Sequence, residues 1–295
     1  MQILRKKIVL SGLKNGKINI EGFIFVSHLP PDPRGSKSLL KKCFLWERSD
    51  VPEKISTLTE KDILVLRLDL TDRSSHEAAT NSVIKHFGKI DVLVNNGGRS
   101  QRSLFMDTNL DVYSAIMELN YLGTISLTKH VLKHMIERKR GKIVTVSSVM
   151  GIMGAPLASG YCASKHALQG FFNSLRTELT DYPEISIINI CPGPVQSKII
   201  QNVFTENLGR KSLPLFNGMP TDRCVRLTLV STANDLKEAW ISDHPYLAVC
   251  YLWQYAPTWA WWLMNRMGKR RIQNFKSGVV SLFLSPPLTC VSLPC

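Results

Sequence analysis

Tyr161 and Lys165 lie four residues apart in a stretch of helical periodicity, so their side chains share one helix face. A free phenol has a pKa of about 10, too high for proton transfer near neutrality. A neighbouring ammonium favours the phenolate and lowers that value. Such a pair can give and take a proton at a carbonyl or alcohol oxygen. The spacing alone is weak, since the chain has seven tyrosines and a solvated helix face would carry the same pattern. Ser148, thirteen residues earlier and just past an apolar run, offers a hydroxyl that could hold the same oxygen. Taken by itself it also reads as a serine in a strand-to-loop turn. Asn120 falls inside the periodic stretch 111–138, where asparagine is a middling helix former and an ordinary polar position is the competing reading.

These residues need elements to hold them. From Lys61 onward, short apolar runs alternate with periodic stretches. The runs are Ile63–Leu68, Ile90–Val94, Ile143–Val146 and Ile185–Ile190. The helical stretches fall after Ser74, which can cap the first of them, then at 111–138 (ended by Gly141), 160–180 and 222–235. Gly88 stops the first helix. Continuously apolar strands alternating with helices predict an α/β fold, a doubly wound, Rossmann-like parallel sheet in a single domain. In such sheets ligands lie at the carboxyl ends of the strands. Asp69, Asn95-Asn96-Gly97-Gly98, Ser148 and Pro192-Gly193 all fall there.

In order and spacing, Asn95-Asn96-Gly97-Gly98, Asn120, Ser148, Tyr161-Cys162-Ala163-Ser164-Lys165 and Pro192-Gly193-Pro194-Val195-Gln196-Ser197 resemble the short-chain dehydrogenase/reductase family over residues 61 to about 278. The resemblance implies roles. Tyr161 is the general acid–base, and Lys165 lowers its pKa and binds the nicotinamide ribose. Ser148 orients the substrate carbonyl, and Asn120 holds a water in a proton relay. Asp69 meets the adenine ring, and Asn95 with Gly97 shapes the floor of the cofactor cleft. Ser197 stands where the family has threonine beside the nicotinamide amide. Arg102-Ser103-Leu104, Gly160–Leu168 and the aromatic segment 251–262 resemble a membrane-associated branch of the family. That branch implies NADP(H), lipophilic steroid, retinoid or xenobiotic carbonyls, the endoplasmic reticulum membrane surface and a homo-oligomer paired through helices 111–138 and 160–180.

The amino-terminal part departs from the family. There a strand, a Thr-Gly-x-x-x-Gly-x-Gly turn and a helix start surround the pyrophosphate. This chain has Ser11-Gly12-Leu13-Lys14-Asn15-Gly16-Lys17-Ile18 after Ile8-Val9-Leu10, with Ile18 in place of the third glycine. A β-branched stretch and Pro30, Pro31 and Pro33 follow, and no amphipathic helix fits. Either the echo forms a phosphate loop, or the first strand–helix–strand unit is atypical or missing. In the second case the chain is a cofactor-deficient relative that acts only through protein contacts.

The composition narrows the partners. Of 295 residues, 44% are apolar, which excludes wholesale disorder. Thirty-seven basic against 23 acidic residues give +14, which favours acidic partners. No nucleic-acid motif accompanies that charge, so nucleic acid is not an expected partner. Seven scattered cysteines without a Cys-x-x-Cys pair argue against a disulfide scaffold or a metal site. The uncharged run from Pro245 to Asn265 has the length of a membrane span, but Gln254, Pro257 and many rings suit an interface better. Trp253, Trp259, Trp261 and Trp262 with Tyr246, Tyr251 and Tyr255, followed by Arg266, Lys269, Arg270 and Arg271, make 245–271 a candidate for a membrane surface. They equally suit the cover of a substrate pocket or a subunit contact. Without the membrane, the free cysteines and absent secretion signal point to the cytoplasm. The chain thus divides into an atypical segment 1–60, a core 61–243, an extension 244–278 and an unassigned tail 279–295.

Overall fold

A computed structural model describes residues 8–11, 24–26, 63–208, 210–211 and 218–277. Gly12, Gly16, Ile18, the three prolines that follow and the tail 279–295 lie outside these residues.

The central sheet has seven strands in the order β3-β1-β2-β4-β5-β6-β9. In chain order these are β1 (Ile8–Ser11), β2 (Ile24–Val26), β3 (Ile63–Leu66), β4 (Val92–Asn95), β5 (Gly141–Val146), β6 (Ile185–Pro192) and β9 (Glu238–Ile241). β7 (Val203–Phe204) and β8 (Arg210–Lys211) form a separate two-stranded ribbon. β4, β5, β6 and β9 run parallel, as do β1 and β3. β2 is antiparallel to both its neighbours, β1 and β4. The α/β sheet expected from the alternating pattern is therefore present, and its departure lies in the first unit. β9 was not foreseen, because Glu238-Ala239-Trp240-Ile241 is too short and mixed to stand out.

The helices are α1 (His76–Phe87), α2 (Leu110–Met117), α3 (Gly123–Glu137), α4 (Ser159–Glu178), α5 (Thr221–Ala233), α6 (Tyr246–Tyr255) and α7 (Pro257–Lys276). They cover both faces of the sheet. Leu93, Ile143 and Ile187 point into a core with Val83, Leu127, Val131, Leu168 and Phe172 from α1, α3 and α4. Val92, Val94, Val144, Ile188 and Ile190 point the other way, toward Met219, Cys224 and Leu227. Burial on both faces is why these strands carry no polar alternation.

Three boundaries differ from the sequence reading. Ser74 does not cap α1: it sits in the 3-10 turn Arg73–Ser75, and its hydroxyl donates to Asp72 Oδ1 at 2.6 Å. Gly88 does end α1, at φ +81°. The stretch 111–138 is not one regular helix. Five residues, Glu118–Leu122, take π-helical bonding between α2 and α3, and Asn120 lies among them. Gly141 opens β5, while α3 ends at Glu137 with Arg138 as its cap. The aromatic run 245–265 is split into α6 and α7 at Ala256-Pro257, and among the described residues no helix is long and apolar enough to cross a membrane.

Candidate active site

β5 and β6 are adjacent and parallel, with Val146 opposite Ile190, so the turns that follow them meet at one edge. Ser148 lies two residues beyond β5. Its hydroxyl donates to Pro192 O at the end of β6 (3.4 Å) and accepts from Met150 N (3.1 Å). Tyr161 and Lys165 occupy the first two turns of α4 and are both buried, 8% and 4% exposed. The Lys165 ammonium lies 5.7 Å from the centre of the Tyr161 ring and donates to Val146 O at 2.9 Å. A buried ammonium needs such an acceptor, and here the acceptor is the last carbonyl of β5.

Asn120 is wholly buried. Its Oδ1 accepts from Arg99 N (2.8 Å), and its Nδ2 donates to Arg99 O (3.0 Å) and Ser164 Oγ (2.9 Å). Ser164 Oγ in turn donates to Tyr161 O at 2.8 Å. The side-chain amide therefore binds the turn after β4 to the first turns of α4. A π-turn often marks a functional site, and here it swings Asn120 toward both partners.

Asn95 ends β4, and its Nδ2 donates to Thr128 Oγ1 at 2.9 Å. Its Oδ1 is buried with no hydrogen-bond partner among the described residues. Gly97 is buried beside it. At Gly98 a Cβ would stand 3.1 Å from Asn120 Oδ1 and 3.7 Å from Lys165 Nζ, so the bare backbone leaves a cradle there. Asp69 follows β3, and its Oδ1 accepts from Thr71 N (3.0 Å) and Thr71 Oγ1 (2.7 Å). Two strands, β1 and β2, separate it from β4. Ser197 precedes the 3-10 turn Lys198–Asn202 and makes no capping bond with its side chain.

The residues present fit one half of a dinucleotide. The cradle at Gly98, the ammonium of Lys165 and the bare Oδ1 of Asn95 suit a nicotinamide ribose. The phosphate half is different. A helix start directly after a parallel strand beside β4 would supply converging amides. In this chain β2 occupies that place and runs the opposite way, with Ile24 paired to Val94.

Cys162, next to Tyr161, is buried, and burial pushes its thiol up, so it stays protonated. Arg271 of α7 is also buried. Burial first, then the nearby Arg102, bring its guanidinium down to about 10. Three residues escaped the sequence reading: Ser164, Arg99 and Gln101. Ser164 was visible inside the Tyr161–Lys165 segment, but nothing in its spacing shows that it meets Asn120. Gln101 bonds to Gly160, 59 residues away, and has no local signal.

The family described as short chain dehydrogenase matches residues 43–208. The match begins earlier than Lys61, where the strand–helix pattern becomes legible, and leaves Ser11–Ile18 outside it. Dehydrogenase/reductase SDR family member 7 of Homo sapiens is 66% identical over 226 residues, 75% of this chain and 66% of the relative. The protein of the same name from Mus musculus is 64% identical over 225 residues, 75% of this chain and 67% of the relative. The chain thus spans about two thirds of their length. Dehydrogenase/reductase SDR family protein 7-like of Anopheles gambiae is 34% identical over 226 residues, 76% of this chain and 71% of the relative. Among solved structures, a variant actinorhodin polyketide ketoreductase with NADPH is 34% identical, with TM-score 0.44, over 46% of this chain and 52% of that chain.

Proposed function

The chain belongs to the short chain dehydrogenase family, and from that premise we propose that it is an oxidoreductase interconverting carbonyl and alcohol groups of lipophilic substrates. The observation that carries this is the burial of Tyr161 with Lys165 at the ends of two adjacent parallel strands, the Lys165 ammonium on Val146 O and the Ser148 hydroxyl, two residues further along the chain, on Pro192 O. In the reducing direction Tyr161 gives its phenolic proton to the carbonyl oxygen, and in the oxidising direction it takes it back. Lys165, held by Val146 O, keeps a positive charge close to the ring and favours the phenolate. Ser148 turns its single hydroxyl proton from Pro192 O to the same oxygen and fixes its position. Asn120 holds the turn after β4 and the base of the tyrosine's helix together, and a water near it completes the proton path. NADP(H), when bound, supplies or accepts the hydride. Asp69, Asn95, Gly97, Tyr161, Lys165 and Ser197 are the residues that would hold it. Preference for NADP over NAD rests on the family resemblance, with the +14 charge in support. The test is NADPH consumption by the full chain on a panel of steroid, retinoid and aromatic carbonyls. No turnover on any of them counts against the reading.

A second reading is favoured by β2 running antiparallel beside β4: a relative that keeps the proton-transfer residues, binds cofactor poorly and acts through protein contacts. Thermal stability separates the two. A ligand at a hundred times its Kd raises stability by about 2.7 kcal/mol, so unfolding unmoved by millimolar NADPH or NADH favours the second reading.

The extension 245–271 supports a place at a membrane surface, that of the endoplasmic reticulum by resemblance to the family's membrane-associated branch. Trp259, Trp262, Arg266 and Arg270 follow one another at helical spacing and are exposed on α7, while Ala260, Met264, Gly268 and Arg271 are buried behind them. Rings beside basic residues suit an anionic interface. Sedimentation with anionic vesicles tests it: Trp259→Gln with Trp262→Gln, both outside the packed face, should lose vesicle binding and keep the fold. Assembly into a homo-oligomer through the helices of 111–138 and 160–180 is proposed on the resemblance alone and is read by light scattering.

A further inference from the structure

Gln101 lies in the loop between β4 and α2, is 2% exposed, and bonds at both ends of its amide. Its Oε1 accepts from Gly160 N at 2.7 Å, and its Nε2 donates to Ser103 Oγ at 3.0 Å. Gly160 is the second residue of α4, and Tyr161 is the third. The first amides of a helix have no partner within it. At α4 the residue in capping position is Ala158, which has no side-chain acceptor. The acceptor for Gly160 comes instead from Gln101.

Gln101 is itself fixed from two directions. Thr108 Oγ1 donates to Ser103 Oγ (2.7 Å), and Ser103 N donates to Leu157 O (3.0 Å), so the loop is laced to the residues just before α4. On its other side Gln101 bridges to Phe204, with Arg102 N donating to Phe204 O (2.8 Å) and Phe204 N donating to Ser100 O (2.9 Å). β7 lies in the segment that follows β6 and Ser197. Gly160 is where these groups crowd: a Cβ there would fall 2.8 Å from Gln101 Oε1 and 2.7 Å from the Tyr113 ring. The turn bearing Tyr161 is thus gripped on one side at the Gly160 amide by Gln101, and on the other at the Tyr161 carbonyl by Ser164 and Asn120.

We propose that Gln101 is a positioning residue for Tyr161, capping α4 from a distant loop and linking the phenol's place to the Val203–Phe204 segment. This rests on the oxidoreductase reading above for its effect on turnover, and on geometry alone for its grip on Gly160. Without the acceptor, the buried Gly160 N–H loses its partner and the first turn of α4 loosens. A misplacement of about 1 Å at a reacting group can lower rates about a hundredfold.

The experiment compares Gln101→Met, which keeps the length and removes the acceptor, with Gln101→Glu, which keeps it. Turnover, KM, thermal unfolding and hydrogen exchange at the Gly160 amide are read on the full chain. Gln101→Met should lower kcat about ten- to a hundredfold with KM for the carbonyl nearly unchanged, and should speed exchange at Gly160. Gln101→Glu should restore both. A merely structural role would move the unfolding temperature of both variants alike and leave the kcat-to-KM split untouched. The proposal is overturned if Gln101→Met keeps kcat within twofold of the parent, or if Gly160 exchange does not change. If the parent turns over no carbonyl, the oxidoreductase reading fails on its own, and exchange at Gly160 still decides whether Gln101 holds the turn.

Discussion

Between β4 and β9 four parallel strands bring their carboxyl ends to one edge, and Asn95, Ser148 and Pro192 gather there with Tyr161 and Lys165 from α4. Between β3 and β4 the same sheet continues, yet β2 turns its direction round and Asp69 stands apart at the far side. Hydrogen-bonded strand pairing accepts either direction, but the site does not. A strand that ends at the ligand edge can hand its chain to a helix whose amides face an anion, and one that starts there cannot. The two regions therefore separate the residues proposed for proton transfer, which the fold brings together, from phosphate binding, for which the described residues show no cradle.

The largest expected effect tests that separation directly. Loss of two or three charge-assisted hydrogen bonds to the pyrophosphate, at about 1.5–3 kcal/mol each, weakens NADPH binding by several orders of magnitude. Isothermal titration of the full chain against a family member carrying the complete glycine motif reads it. A low-micromolar Kd would erase the contrast and show that residues 8–18 serve as a phosphate loop.

Next comes Tyr161→Phe, which removes the proton donor and leaves the ring's packing with Val112, Ile116 and Phe204. Turnover should fall roughly 10²- to 10⁴-fold with unfolding unchanged. Near-normal kcat would show that the assembled side is not the reacting one.

Asn120→Ala has a smaller effect on rate and a clear one on stability. It removes one hydrogen bond each from Arg99 N, Arg99 O and Ser164 Oγ, of which Ser164 keeps its bond to Tyr161 O, at about 0.5–1.5 kcal/mol for each bond lost. The denaturant midpoint should drop by a corresponding amount, with kcat falling as the Tyr161 turn loosens. An unchanged midpoint would mean that the turn after β4 does not depend on this tie.

The smallest effect concerns the β3 side. His76 in α1 is buried, with Nδ1 3.0 Å from Ser126 Oγ, and burial lowers its pKa below the ordinary 6.5. The folded imidazole then takes a proton less readily than the unfolded one. Its contribution is present above the unfolded value and is lost as pH falls through 6.5 toward the folded value. His134 in α3 shifts the same way, chiefly through burial and then through Arg138. Denaturant midpoints measured at about pH 7.5 and about pH 5.5 should fall on acidification, and His76→Gln should flatten the fall. No difference between variant and parent would remove His76 from the pH response.

Much of this was legible in the residues. Uninterrupted apolar runs told of strands covered on both faces, because only burial on both sides removes the polar alternation. The spacing of Tyr161 and Lys165 placed both on one helix face, and Gly88 ended α1 where a left-handed residue is needed. Ser148 and Asn95 lay at strand ends, where ligands bind in such sheets. The missing third glycine at position 18 pointed to an altered first unit. These are local facts, set by periodicity, backbone preference and chain order.

The tertiary structure alone decided the rest. The direction of β2 depends on which strand edge it meets, and short apolar strands carry no sign of parallel or antiparallel pairing. Within the π-turn, the Asn120 amide meets Arg99 and Ser164, 21 and 44 residues away along the chain, and no local pattern announces either partner. The division of the aromatic run into α6 and α7 was hinted by Pro257, but which rings face outward follows from Ala260, Met264 and Gly268 being buried on one side. Gln101 capping α4 joins residues 59 apart. Periodicity reports which way a side chain points from its own element. It says nothing about what the fold brings to meet it, and at this site that meeting fixes Asn120, Ser164 and Gln101 around the base of Tyr161.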